Sequence, residues 1–138
     1  MFFKYAKCKV NKEQVNNNII RWEVLDESFS ASTHETDESY TLSIDKDILI
    51  KSKNYVGFIR ALETISQLIK GDESSGFFLE NLPLEIADSP DFQHRGLMID
   101  TARHFLPKSV ILRTLDAMQY NKMNVLHWHI TDDESFPL

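Results

Sequence analysis

The order of strands, helix and polar loops in residues 92–138 constrains the fold of this chain more than any other feature. Gly96–Asp100 and residues 125–130 are short, mainly apolar segments of the kind found in buried parallel strands. Residues 107–120 between them are amphipathic and predict a helix. The spacing of the two strands matches one right-handed β-α-β crossover. We therefore expect residues 92–138 to begin an α/β barrel that this chain leaves incomplete.

The helix of this segment should begin and end at recognisable residues. Pro107 or Ser109 suits its start, and Asn121 suits a left-handed stop at its end. Its buried face should consist of three apolar side chains at helical spacing, namely Ile111, Leu115 and Met118.

The preceding residues predict a small α+β domain, with an antiparallel sheet and one packed helix. Tyr40–Ile44 alternates apolar and polar side chains, as a strand with one buried face does. Residues 48–51 follow as its hairpin partner after a turn at 45–47. Further short strands are predicted at residues 19–25, 77–80 and 84–87.

The packed helix of this domain is predicted after the hairpin. Asn54 suits its N-cap, Lys70 its last turn and Gly71 the C′ position, where φ is positive. Its core-facing stripe should consist of four apolar residues at spacings of 4, 3 and 4, namely Phe58, Leu62, Ile65 and Ile69.

Changes in composition divide the chain into three parts. Residues 1–17 are rich in Lys and Asn without periodicity and predict a polar arm. The polar break at 88–91 contains a proline, which favours an extended backbone before it. We place a domain boundary there, between an α+β domain at 18–91 and the barrel segment at 92–138.

Charge and composition argue against several classes of partner. The net charge of -6 argues against nucleic acid, because a phosphate-binding face needs an excess of Lys and Arg. The apolar stretches are far shorter than the ~20 residues of a membrane-spanning helix, so no membrane insertion is predicted. The first residues lack the apolar region of a signal peptide. Cys8 is the single cysteine and cannot form an internal disulfide.

Charged residues lie at both ends of the predicted parallel strands. Barrel enzymes carry their chemistry at the C-terminal strand ends, so His94 and Arg95, which precede the first strand, predict structural contacts. Arg103 follows the first strand and Asp132 the second. Because adjacent parallel strands lie ~4.8 Å apart, Arg103 and Asp132 can face one pocket.

The residue types at this pocket leave several roles open. Arg103 can grip two acceptors at once, such as neighbouring sugar hydroxyls or a carboxylate. Alternatively, it only forms an ion pair with Asp132 that ties two loops together. Asp132 can orient another group, act as a base or cap the following turn. Glu134 is expected to lie in a solvated loop.

Two histidines on the second strand admit a metal-binding and a structural interpretation. His127 and His129 share one face, with Trp128 on the other. A His-x-His pair on a barrel strand is compatible with metal ligation. No further histidine or cysteine follows, so buried, hydrogen-bonded histidines that support the site are favoured, and no metal or cofactor is predicted.

Three motifs carry a resemblance to a known family. They are HRGLMIDTARHFLP at 94–107, YNKMNVLHWH at 120–129 and DDESFP at 132–137, with a clear likeness also over 39–67. They closely resemble β-N-acetylhexosaminidases of glycoside hydrolase family 20, of the eukaryotic lysosomal α/β-subunit type.

The resemblance implies a fold and an activity. The fold is an α+β accessory domain followed by a (β/α)8 TIM barrel. The activity is removal of terminal non-reducing N-acetylhexosamine from glycans, with the substrate's own acetamido group as nucleophile and retention of configuration. By the same resemblance Arg103 binds hydroxyls of the terminal sugar, and Asp132 supports the active site. Family members imply a homo- or heterodimer and a lysosomal or secreted location.

One departure from the family pattern limits the expected activity. The family's catalytic Asp-Glu pair follows later in the barrel, beyond position 138. Asp133 and Glu134 spell Asp-Glu but come directly after the second strand, so we reject them as that pair. The chain is therefore predicted to be a fragment that is inactive alone. A metal-dependent amidohydrolase-type barrel and a non-catalytic accessory-domain product stay open as alternative functions.

Overall fold

The computed structural model describes residues 19–26, 33, 35–72, 74, 76–133 and 135–136. The predicted arm at 1–17 and Glu134 lie outside the described residues. The chain divides into two compact units between Ser89 and Pro90, and residues 32–36 belong to the second unit. None of the described helices is long and apolar enough to cross a membrane.

The first unit contains a mixed four-stranded sheet rather than the predicted antiparallel one. In its described part the elements are β1 (Ile20–Val24), β2 (Tyr40–Ile44), β3 (Ile48–Ser52), α1 (Tyr55–Leu68), β4 (Lys70–Asp72), β5 (Gly76–Phe78) and β6 (Leu84–Asp88). The four-stranded sheet has the order β1-β3-β2-β6.

Strand β1 is the reason that the sheet is mixed. It pairs parallel to β3, whereas the β2–β3 hairpin and the β2–β6 pair are antiparallel, as predicted. The connection from β1 to β2, residues 25–39, leads to a strand that is not adjacent to β1 and runs antiparallel to it. Strand β3 then returns by a tight turn into the place between them, and because a tight turn joins antiparallel neighbours, β3 runs parallel to β1.

The core of the first unit lies between this sheet and α1. The predicted alternation in β2 is confirmed, because Tyr40, Leu42 and Ile44 are buried on the helix side together with Ile50 of β3. From α1, Ala61 and Ile65 complete the buried cluster.

The buried face of α1 differs from the predicted stripe. Ile65 is buried and Phe58 packs against the core, but Leu62 is 37% exposed and Ile69 43% exposed. The helix instead turns Gly57 toward the sheet, where an added Cβ would lie 2.5 Å from the carbonyl oxygen of Ser39. A small residue allows this close approach, and the close approach decides which side of α1 is buried.

The start of α1 is as predicted and its end is not. The side-chain oxygen of Asn54 accepts hydrogen bonds from the backbone N–H groups of Val56 and Gly57, at 3.0 and 3.2 Å. Lys70 and Gly71 lie beyond the helix, in β4, which pairs with β5. The φ of Gly71 is positive, at 103°, but serves this hairpin rather than a helix cap.

The second unit contains the predicted parallel β-α-β arrangement. Its elements in the described residues are β7 (Gly96–Asp100), α2 (Lys108–Tyr120) and β8 (Val125–His129). The two strands pair in parallel, from Gly96 opposite Val125 to Asp100 opposite His129. Strand β8 ends one residue earlier than predicted.

Two details of α2 differ from the prediction. Ile111 and Met118 are buried, but Leu115 is 43% exposed because it lies toward the outer side of the helix. Lys122, not Asn121, takes the left-handed conformation, with φ of 52°. The N–H of Met123 bonds to the carbonyl of Met118, which is the hydrogen bond of a Schellman end and places the left-handed residue one position later.

Candidate functional site

The C-terminal ends of β7 and β8 bring four ionisable side chains together. Asp100 and His129 end the two strands in register and therefore share one face of the pair. Arg103 and Asp132 follow in the adjoining loops. We call these four residues the strand-end cluster.

The loop after β7 is anchored to its surroundings. Thr101 is buried, and its N–H donates to the carbonyl oxygen of His129 at 3.0 Å. The indole N–H of Trp128 donates to the hydroxyl of Thr101 at 2.8 Å. The hydroxyl of Ser135 donates to the carbonyl of Ala102, which is also buried. The two residues that precede Arg103 are therefore anchored to the end of β8 and to the loop that follows it.

Arg103 lies between two carboxylates. Its Nε–H donates to Oδ2 of Asp100 at 2.6 Å, and its backbone N–H donates to Oδ1 of Asp100 at 3.1 Å. Its Nη1 donates to Oδ2 of Asp132. The ion pair between the two loops, expected as one alternative, is thus present. The Arg103 side chain nevertheless stays 62% exposed, so part of its donor edge faces solvent.

Asp132 has both carboxylate oxygens engaged. Oδ2 accepts from Arg103 and lies 3.2 Å from Nε2 of His129, and Oδ1 accepts the backbone N–H of Asp133 at 2.7 Å. An ionised carboxylate only accepts hydrogen bonds, so Nε2 of His129 carries the proton when it bonds to Asp132. This arrangement favours a supporting role for Asp132 over that of a base.

The same contacts shift the acidity of the cluster. The backbone N–H of Asp133 and then the bond from His129 hold the pKa of Asp132 below its ordinary value, against desolvation. Desolvation raises the pKa of Asp100, but the backbone and side-chain bonds from Arg103 outweigh it, and the net shift is downward. The bond from Asp100 raises the pKa of Arg103. All three residues are therefore charged in neutral and mildly acidic solution.

The histidines of β8 differ in their surroundings. His129 contacts Asp132, as predicted of a hydrogen-bonded histidine, but it is half-buried rather than buried. His127 is exposed, so the prediction that both are buried is wrong for it. Its position in the middle of the strand face stays open to solvent. Among the described residues, no group of three His, Cys, Asp or Glu side chains could hold a metal ion.

Arg95 lies at the opposite strand end and makes structural contacts, as predicted. Its Nε and Nη1 donate to the carbonyl oxygens of Lys122 and Phe92 at 2.9 and 2.7 Å. Its backbone N–H donates to the side chain of Asn124 at 2.9 Å. These bonds join the chain segments that enter β7 and β8.

Asp100 is the member of the site that the sequence analysis missed. The sequence pattern identifies it only as the last residue of a strand. An acid at a strand end, three residues before an arginine, was the available signal, because a turn at that point brings the two side chains together.

Two family models match the chain. The model for the catalytic domain of glycosyl hydrolase family 20 matches residues 92–138, and one described as beta-acetyl hexosaminidase like matches residues 4–68. Over these two ranges the chain matches glycoside hydrolase family 20.

Individual family 20 proteins agree with this assignment. The chain is 58% identical to Beta-hexosaminidase subunit beta of Felis catus over 103 residues, which are 74% of this chain and 19% of the relative. It is 46% identical to the Homo sapiens subunit beta over 127 residues, which are 91% of this chain and 22% of the relative. The chain thus spans about a fifth of the length of these relatives.

A solved family 20 structure has a similar fold. It is an exo beta-N-acetylglucosaminidase from Vibrio harveyi in complex with N-acetylglucosamine. The TM-score is 0.66 at 33% sequence identity, and the match covers 83% of this chain and 17% of that chain.

Proposed function

We propose that this chain is part of a β-N-acetylhexosaminidase that removes terminal non-reducing N-acetylhexosamine residues from glycans. The observation that carries the proposal is the Arg103 guanidinium, held by two carboxylates at the ends of adjacent parallel strands and still largely exposed. Family membership supplies the reaction, and the strand-end cluster supplies one wall of the sugar pocket.

Arg103 is the residue that we assign to sugar binding. A guanidinium has five N–H donors in a rigid plane. Asp100 and Asp132 occupy the Nε–H and one Nη1–H, so further donors can meet neighbouring sugar hydroxyls. An ion pair that only links two loops does not need solvent-facing N–H donors on the guanidinium, whereas a sugar-binding group does.

The proposed chemistry follows the substrate-assisted scheme that family resemblance implies. The 2-acetamido group of the substrate attacks the anomeric carbon while a general acid protonates the leaving oxygen. Arg103 contributes by holding the ring, because fixing the sugar also fixes the distance from acetamido oxygen to anomeric carbon. Asp132 holds Arg103 and is not the general acid.

The wider architecture is proposed on the same basis. The β7-α2-β8 unit at 92–138 is the start of a (β/α)8 barrel, and residues 18–91 form its accessory domain. Two family 20 relatives are named as beta subunits and another as an alpha subunit, and we extend to this protein the assembly into a homo- or heterodimer.

A chimera tests the function directly. This chain replaces the matching 22% of the human subunit beta, and hydrolysis of an aryl N-acetyl-β-glucosaminide is measured. We expect activity, and a chimera that folds by circular dichroism but is inactive would contradict the proposal.

The Arg103→Lys chimera tests the sugar contact. A charged hydrogen bond contributes about 1.5–3 kcal/mol, so kcat/KM should fall roughly tenfold to a hundredfold. The matched control is Arg113→Lys on α2, an exposed arginine away from the strand ends. Equal kcat/KM in the two variants would show that Arg103 only links two loops through its ion pair with Asp132.

A further inference from the structure

We propose that Asp100 is a positioning residue that fixes the orientation of the Arg103 guanidinium for sugar binding. The inference rests on the proposed function, because it concerns how the sugar-binding arginine is held. It adds a second carboxylate to the site, beside the Asp132 that family resemblance implies.

Asp100 contacts Arg103 at two separate points. Its Oδ1 accepts the backbone N–H of Arg103 at 3.1 Å, which closes the turn after β7. Its Oδ2 accepts the side-chain Nε–H at 2.6 Å, which selects one orientation of the side chain. One carboxylate therefore fixes both the backbone position of Arg103 and the orientation of its guanidinium.

The second contact is needed because Asp132 alone leaves a rotation free. Asp132 accepts from Nη1 only, and a guanidinium held at one nitrogen can swing about that bond. A further bond at Nε defines the plane of the group. With the plane defined, the donors that face solvent are presented as a fixed edge, and less freedom is lost when hydroxyls bind.

The position of Asp100 in the sheet suits it to orient the Arg103 side chain. It is the last residue of β7, and its register with His129 sets its direction. Its side chain is 24% exposed, whereas that of Arg103 is 62% exposed. We therefore infer that the more buried carboxylate orients the more exposed cation.

The Asp100→Asn variant separates the two contacts. An amide oxygen can still accept the backbone N–H of Arg103, so the turn is kept. The amide nitrogen that replaces Oδ2 is a donor and cannot accept from Nε–H. The matched control is Asp91→Asn, which makes the same change at an exposed position of the same unit.

The kinetic test uses the chimera. In Asp100→Asn we expect KM to rise roughly tenfold with kcat within about threefold, because the lost orientation weakens binding of the sugar. In an Arg103→Ala background, Asp100→Asn should have no further effect beyond about twofold, since Asp100 acts through Arg103. Equal KM in Asp100→Asn and Asp91→Asn, or additive losses in the double variant, would overturn the inference while the active parent chimera upholds the proposed function.

A spectroscopic test uses the 138-residue chain and needs no activity. The Nε–H of Arg103 should give a slowly exchanging nitrogen-15 resonance that is lost in Asp100→Asn and kept in Asp91→Asn. A parent chain without that resonance, or an Asp100→Asn variant that keeps it, would overturn the positioning role even if every chimera is inactive.

Discussion

Two carboxylates in the first unit form ion pairs, one of which is buried and the other exposed. Glu38 is buried and accepts from Nε of Arg60 at 2.6 Å, with the two side chains only 3% and 13% exposed. Asp37 pairs with Nζ of Lys53 at 2.6 Å, but these side chains are 38% and 65% exposed. Removal of either side chain is costly in the buried pair, because the other charge stays buried and loses this ion pair. We expect the exposed pair to contribute mainly to the stability of the fold in acid.

Replacing Lys53 by Met tests that expectation. The bond from Lys53, followed by those from Ser39, lowers the pKa of Asp37 from 3.8 to about 2. Because the folded pKa lies below the unfolded one, the ionised carboxylate stabilises the fold above pH ~4, and this is lost as the pH falls toward 2. In Lys53→Met the pKa of Asp37 should rise, and acid unfolding should begin at a higher pH.

Proton NMR titration of Asp37 and circular dichroism against pH measure these two effects. At neutral pH the loss of stability should be at most about 1 kcal/mol, because the pair is exposed. Lys46→Met, in the exposed turn between β2 and β3, is the control. An acid transition that coincides in the two variants would refute the assigned cause.

At the scale of elements, the distance between α1 and the sheet decides which side of the helix is buried. Gly57 allows the helix backbone to approach Ser39 and Ser52. The apolar stripe through Phe58 and Leu62 then lies partly outside the core. A helix thus need not bury its most apolar line when a small residue permits closer packing beside it.

Gly57→Ala should therefore destabilise the protein. Alanine favours a helix by about 1 kcal/mol over glycine. However, its Cβ would lie 2.5 Å from the carbonyl oxygen of Ser39 and 3.1 Å from Cβ of Ser52. Overpacking of this kind costs about 1–3 kcal/mol, so we expect a net loss in urea denaturation. Ser66→Ala, at an exposed position of the same helix, should change stability by less than about 0.5 kcal/mol. A Gly57→Ala variant more stable than the parent would contradict the close approach.

At the scale of the whole molecule, the two units differ in what they contribute. The first has a buried cluster between sheet and helix, and the second carries the strand-end cluster. The catalytic-domain model matches within the second unit, at residues 92–138.

The 138-residue chain alone should not hydrolyse an aryl N-acetyl-β-glucosaminide. Family resemblance implies that the catalytic Asp-Glu pair is not among these residues, and general acid catalysis contributes typically 10²–10⁴-fold to the rate. Turnover by the purified chain is compared with that of the active chimera at equal concentration. Turnover by the chain that disappears in Arg103→Lys would show that the general acid lies among these residues.

Much of the secondary structure could be predicted because it depends on local patterns. The period of two in β2 and the apolar runs of β7 and β8 are properties of neighbouring residues. The meeting of Arg103 and Asp132 was also predictable, because parallel strands joined by one crossover place their C-terminal ends together.

Contacts between distant residues decided the rest. The parallel place of β1, the hairpin of β4 with β5 and the buried side of α1 each depend on which partner lies nearest in three dimensions. The same holds at the site. The sequence predicted that Arg103 and Asp132 face one pocket, but only the tertiary structure showed Asp100 accepting from Nε of Arg103. A side chain's hydrogen-bond partner depends on the direction of two backbones, which local periodicity does not specify.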